Sequence, residues 1–205
     1  MPIGNVSLTL SLGGISIQSA VTRTADGQIG HEVQLPAGQA GTLTTRTSDT
    51  QGAATLADGH TIATGDVVDV YWPGGVRYGV TVGTVSGTSV PLTDSGDGDV
   101  YPTQGTAIII APVVRVNTDF DGDDVEMIAA WCSRRAHVNF IDGATVSLEA
   151  IALVSNEVWW WVSGQDVANP LTGDAVDEVF VSNGSTDAAT FRLAILYDST
   201  PHETQ

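Results

Sequence analysis

Apolar residues in this chain recur at every second position, in short runs cut off by glycine, and nowhere keep the three-and-four spacing of a helix. Val6, Leu8, Leu10 and Leu12 alternate with Ser7, Thr9 and Ser11 before Gly13 and Gly14. That is the period of a half-buried strand ending in a turn. Ile15 to Thr24 reads as the return strand. After Ala25, Asp26 and Gly27 a third strand, Gln28 to Leu35, completes an expected antiparallel meander that stops at Pro36.

The same punctuation continues. Thr42 to Thr50 reads as a strand polar on one face, followed by a loop around Asp58 and Gly59. Val67 to Trp72 and Val76 to Val85 flank the turn Pro73, Gly74, Gly75, and Ala107 to Val116 is a strongly apolar strand. Asp94 to Asp99 reads as a loop, and a second loop, Asn117 to Asp124, is the expected domain boundary. Beyond it six strands are expected: Val125 to Cys132, Ala136 to Ile141, Thr145 to Val154, Glu157 to Val162, Glu178 to Ser182 and Thr190 to Tyr197. The expected fold is therefore all-β, with two antiparallel β-sandwich or small-barrel domains over residues 1–116 and 117–205.

Charge limits the partners of such a fold. Twenty-four acidic residues face seven basic ones, all arginine, for a formal charge of −17. Phosphate backbones and anionic lipids are attracted by clustered Lys or Arg, so neither sequence-specific nucleic-acid binding nor a membrane surface is expected. Met1 to Gly14 has no basic segment ahead of a continuous apolar block, so no signal peptide is expected. No apolar run approaches the roughly 20 residues of a membrane-spanning helix. Cys132 is the single cysteine, which leaves no internal disulfide or cysteine-based zinc cluster and reads as a buried, inert thiol.

Asp119, Asp121, Asp123, Asp124 and Glu126 place five carboxylates within eight residues around Gly122. Calcium takes six to eight oxygens, and alternating Asp residues about a glycine supply them, although the Glu that would close an EF-hand loop is missing. Calcium, with Asp94, Asp97 and Asp99 as an adjunct, is the cofactor this loop would hold if it holds one. A solvated acidic linker is the leading expectation for it. Asp94, Ser95, Gly96 matches the triplet of aspartic proteases, but its hydrated surroundings do not suit a buried dyad.

Trp159, Trp160 and Trp161 are consecutive. On a strand, Trp159 and Trp161 face one side and Trp160 the other, so both faces need cover. Core and interface packing is the expected role, with a sugar platform as the alternative. Arg134 and Arg135, the one adjacent basic pair, are expected to meet carboxylates, including across a subunit boundary. His31, His60, His137 and His202 are scattered without metal spacing. No nucleophile elbow or phosphate loop occurs, and no enzyme is expected.

Two stretches carry a resemblance: Gly65 to Gly87, GDVVDVYWPGGVRYGVTVGTVSG, and Asp187 to Pro201, DAATFRLAILYDSTP, with Asn169, Pro170, Gly173 and Asp174 before the second. They resemble a family of proteins from tailed bacteriophages and prophage-like regions of planctomycete genomes. That family has no assigned biochemistry, so it transfers no functional residues. The resemblance implies a structural protein of the virion, made in the host cytoplasm, with homo-oligomers and other virion proteins as partners. Capsid decoration or a minor capsid component is the leading expectation. A tail tube or tail-tip subunit and a carbohydrate- or receptor-binding module are the alternatives.

Overall fold

The computed structural model describes residues 9–12, 15–18, 27–93, 97–121, 124–142, 146–163, 169–171 and 175–197. They form sixteen strands and no α-helix, so the all-β expectation holds. Among the described residues no helix is long and apolar enough to cross a membrane.

Strands β1 (Thr9–Leu12) and β2 (Ile15–Gln18) make a hairpin of their own. Among the described residues the expected meander does not continue from it. Strand β3 (Gly27–Leu35) pairs along its whole length with β16 (Ala189–Tyr197), from Gly27 opposite Tyr197 to Leu35 opposite Ala189. Turn residues mark where a chain reverses, but the partner is set by which sheet edge can bury the strand's apolar face. Here Leu35 is buried, and Val33 packs against the same core.

The first half wraps into a small barrel. Strands β4 (Gln39–Arg46), β5 (Gly52–Leu56) and β8 (Ser89–Leu92) lie side by side, and β6 (Val67–Trp72) pairs with β7 (Gly75–Thr81). Strand β10 (Ala107–Asp121) takes β4 on one edge and β6 on the other. The ring closes where Val82 bridges Leu92, with the Gly83 amide donating to the Pro91 carbonyl at 2.8 Å and Thr93 to Thr81 at 3.0 Å. Leu43, Val68, Val70, Val80, Val90 and Ile110 fill the interior. Strand β5 is not among the strands the sequence leads one to expect. Its weak pattern, Gly52, Ala53, Ala54, reflects a close approach: a Cβ on Gly52 would sit 2.4 Å from the Thr45 carbonyl oxygen.

Two further expected loops are corrected. Asp97–Gly98 forms a short strand, β9, against β7. Asn117–Asp121 belongs to β10, where Asn117 lies opposite Glu178 and Asp121 opposite Ala175 across a bulge. Pairing with a long apolar partner carries the strand through a polar sequence that would not be extended by itself. The expected boundary between residues 116 and 117 thus falls inside one strand.

The second half is a sandwich. Strands β12 (Ala136–Asp142), β13 (Val146–Leu153) and β15 (Ala175–Asn183) extend the sheet from β10 in the order β13-β12-β15-β10. Facing them is a four-stranded sheet, β14-β11-β16-β3, containing β11 (Val125–Cys132) and β14 (Val158–Val162). Ile128, Val138, Phe140, Val181, Phe191 and Ile195 pack between the layers. Cys132 is buried there, and burial raises its thiol pKa, which suits an unreactive group. Strand β10 contributes to both cores, with Ile108 and Ile110 in the barrel and Val116 in the sandwich.

Candidate functional site

Period two on β6 divides its residues cleanly. Val68, Val70 and Trp72 enter the barrel, which turns Asp69 and Tyr71 outward toward the sandwich. There they meet β12 and β15 in a buried polar cluster. Asp69 Oδ1 accepts the Gly79 amide at 2.8 Å, and Oδ2 accepts the Ser182 hydroxyl. The Tyr71 hydroxyl lies 2.5 Å from Ser182 Oγ, and its ring lies 5.2 Å beneath the Arg135 guanidinium. Tyr78 stacks on His137 with ring centroids 4.5 Å apart.

Burial sets the protonation of this cluster. It pushes Asp69 up to about 6, against the lowering effect of the bonds from Ser182 and Gly79. It pushes His137 down to about 4, with the Arg135 charge adding to the effect. The Tyr71 hydroxyl is driven well above its usual range. His137 Nδ1 lies 3.9 Å from Asp69 Oδ2. At neutral pH the imidazole is uncharged, so this contact is not an ion pair.

Serine, histidine and aspartate are together here, but not in the order that activates a nucleophile. That order needs the serine hydroxyl on the imidazole and the carboxylate behind it. Here Ser182 donates directly to Asp69, while His137 Nδ1 faces the Asn139 amide at 3.3 Å. Ser182 has no exposed surface. The arrangement fastens the barrel to the sandwich. Sequence reading missed it, although one signal was present: a carboxylate inside the apolar run Val67 to Trp72.

The tryptophans are split by the sheet. Trp161 is buried and Trp159 packs against the sandwich core, while Trp160 projects outward with 48% of its surface exposed. Trp160 lies opposite Ala129, and the row continues through Ala194 to Gly30, so small residues lie beside the indole on the outer face. In the neighbouring row Arg192 lies 5.2 Å over the Trp131 ring and pairs with Glu32 at 2.7 Å. One charge there cancels the other.

Arg134 and Arg135 follow the end of β11 and do not join Trp160. Arg134 pairs with Asp187 at 3.2 Å. Arg135 meets no carboxylate among the described contacts. It covers Tyr71 and donates to the carbonyls of Trp72 and Gly75 at 3.4 and 3.3 Å, so it belongs to the barrel–sandwich junction. Of the acidic loop, the side chains of Asp119 and Asp121 and the whole of Asp123 lie outside the described residues, as do Asp94, Ser95 and Gly96. Glu126 accepts the Ser163 hydroxyl. Among the described residues no three His, Cys, Asp or Glu side chains gather closely enough to hold a metal ion. Comparison with protein-family models, with curated proteins and with solved structures gave no match.

Proposed function

We propose that this protein is a non-enzymatic structural component of a tailed-phage virion, a capsid decoration or minor capsid protein that assembles with copies of itself and with other virion proteins. One observation carries the assembling role: on a chain of charge −17, the half-exposed Trp160 stands on an edge strand, Val158–Val162, that holds no charged residue. Association of so acidic a protein needs a surface where apolar contact outweighs repulsion, and this strand is such a surface. The virion context rests on the resemblance of Gly65 to Gly87 and Asp187 to Pro201. The sealed surroundings of Asp69, His137 and Ser182 give those groups a structural task and leave them out of reach of a substrate.

Electron microscopy of the purified protein, and immunogold labelling of particles that carry its gene, tests this reading. Discrete oligomers and label on the capsid surface are expected. Tubes or stacked rings would move the protein to the tail. Absence of label from particles would overturn the virion assignment, and glycan binding that quenches tryptophan fluorescence would favour a carbohydrate-binding module.

A further inference from the structure

Among the described residues β14 is paired along one side only, and one bond fixes which of its groups face the other side. The Ser163 amide donates to the Glu126 carbonyl at 2.9 Å, and the register pairs Trp161 with Ile128 and Trp159 with Ala130. Hydrogen-bonded and non-bonded pairs alternate along an antiparallel ladder, so residues 159, 161 and 163 turn their N–H and C=O groups toward β11. Val158, Trp160 and Val162 turn theirs away from it. Among the described residues no strand pairs with β14 on that side.

No charge, proline or bulge interrupts this edge, and those are among the devices that keep an exposed strand from pairing. At the other end of the same sheet, β3 carries Glu32. Strand β14 reads Val-Trp-Trp-Trp-Val. That sequence is the same in both directions about Trp160, which selects the partner.

We infer that β14 pairs antiparallel with β14 of a second copy of this chain, about a two-fold axis through Trp160. The palindrome places Val158 opposite Val162, Trp159 opposite Trp161 and Trp160 opposite itself. All three outward-facing residues fall in register as hydrogen-bonded pairs, giving roughly six new backbone hydrogen bonds, two per pair. Flanking Glu157 falls opposite Ser163 rather than another carboxylate, so no like charges meet. The two indoles of Trp160 come together on the outer face beside Ala129, and Trp159 of each copy meets Trp161 of the other on the core side. The four-stranded sheets merge into one of eight strands. The contact is isologous and closed, a dimer. It identifies the surface on which the assembling role proposed above rests.

Sedimentation equilibrium up to roughly 0.1 mM protein tests it, at about 0.15 and 0.5 M salt because screening reduces the repulsion between acidic copies. Wild type is expected to dimerise, more tightly in the higher salt. Trp160→Arg sets two cations opposite each other across the axis and should weaken the dimer at least tenfold. Trp160→Pro removes an outward N–H without touching the β11 ladder and should do the same. Trp160→Cys should cross-link to itself under mild oxidation, whereas Trp160→Ser should not. Circular dichroism confirms that each variant is folded. Assembly that Trp160→Arg leaves undiminished, with no cross-link through Trp160→Cys, overturns this pairing and leaves assembly through another face. A wild-type monomer under all conditions overturns both the pairing and the assembling role. A dimer that never enters particles keeps the pairing and removes the virion role.

Discussion

The hydroxyl of Tyr71 on β6 lies 2.5 Å from that of Ser182 on β15, 111 positions later in the chain, and the Ser182 hydroxyl in turn donates a hydrogen bond to Asp69. This relay of tyrosine, serine and carboxylate joins the barrel to the sandwich. Every member is buried, so each bond costs more to break than a surface bond would.

Removing one end of that relay and removing its middle member should have unequal effects. Tyr71→Phe leaves Ser182 on Asp69 and should destabilise the fold by about 1–2 kcal/mol. Ser182→Ala deprives a buried carboxylate of its hydroxyl donor and should cost about 2–4 kcal/mol at pH 8. Urea denaturation of both variants at pH 8 checks the order, and equal losses would count against the relay.

Asp69 and His137 should oppose each other as pH changes. Asp69 titrates near 6 in the fold against an ordinary 3.8, so the folded state holds the extra proton and stability falls as pH rises from about 4 to 6. His137 titrates near 4 against 6.5, so the unfolded state holds the extra proton and stability falls as pH drops from 6.5 to 4. In wild type the two slopes largely cancel. Asp69→Asn should expose the histidine slope, losing up to about 3 kcal/mol on acidification, and His137→Gln should expose the reverse. Unfolding free energy against pH for the three proteins decides; parallel curves would refute the opposition.

Gly184 makes room for the Tyr71 ring. A Cβ there would lie 2.7 Å from two ring carbons. The ring cannot retreat without leaving Ser182 or pushing on Arg135. Gly184→Ala should therefore destabilise by about 1–3 kcal/mol, as overpacking does. A thermal melt unchanged from wild type would show that the ring has slack.

Adjacent tryptophans should differ sharply. Trp161→Ala empties a core position and should cost about 3–5 kcal/mol. Trp160→Ala should change monomer stability by less than about 1 kcal/mol. Denaturation midpoints at protein concentrations low enough to exclude association make the comparison.

Strands that carry their own period were legible in advance. Val125 to Cys132 coincides with β11 to the residue, and the expected bounds of β3, β12, β13, β14 and β16 lie within one residue of those observed, because alternation and turn residues are local signals. Strand β5 was missed because its small residues answer to the nearness of β4, a contact that lies outside the strand itself. The split of the three tryptophans follows from period two. Asp69, Tyr71 and Ser182 look like ordinary strand residues until β6 and β15 are brought together.

An all-β chain, the places where it turns and an uncharged strand at Val158 to Val162 can all be read from the chain alone. These properties depend on neighbours in the chain. That β3 joins β16, that β10 serves both cores, that Asp69 is buried and that β14 ends its sheet with Trp160 outward emerge from the fold. Strand partners and edges are settled by which apolar faces can be buried together, and that competition is resolved by the whole fold rather than by any one segment.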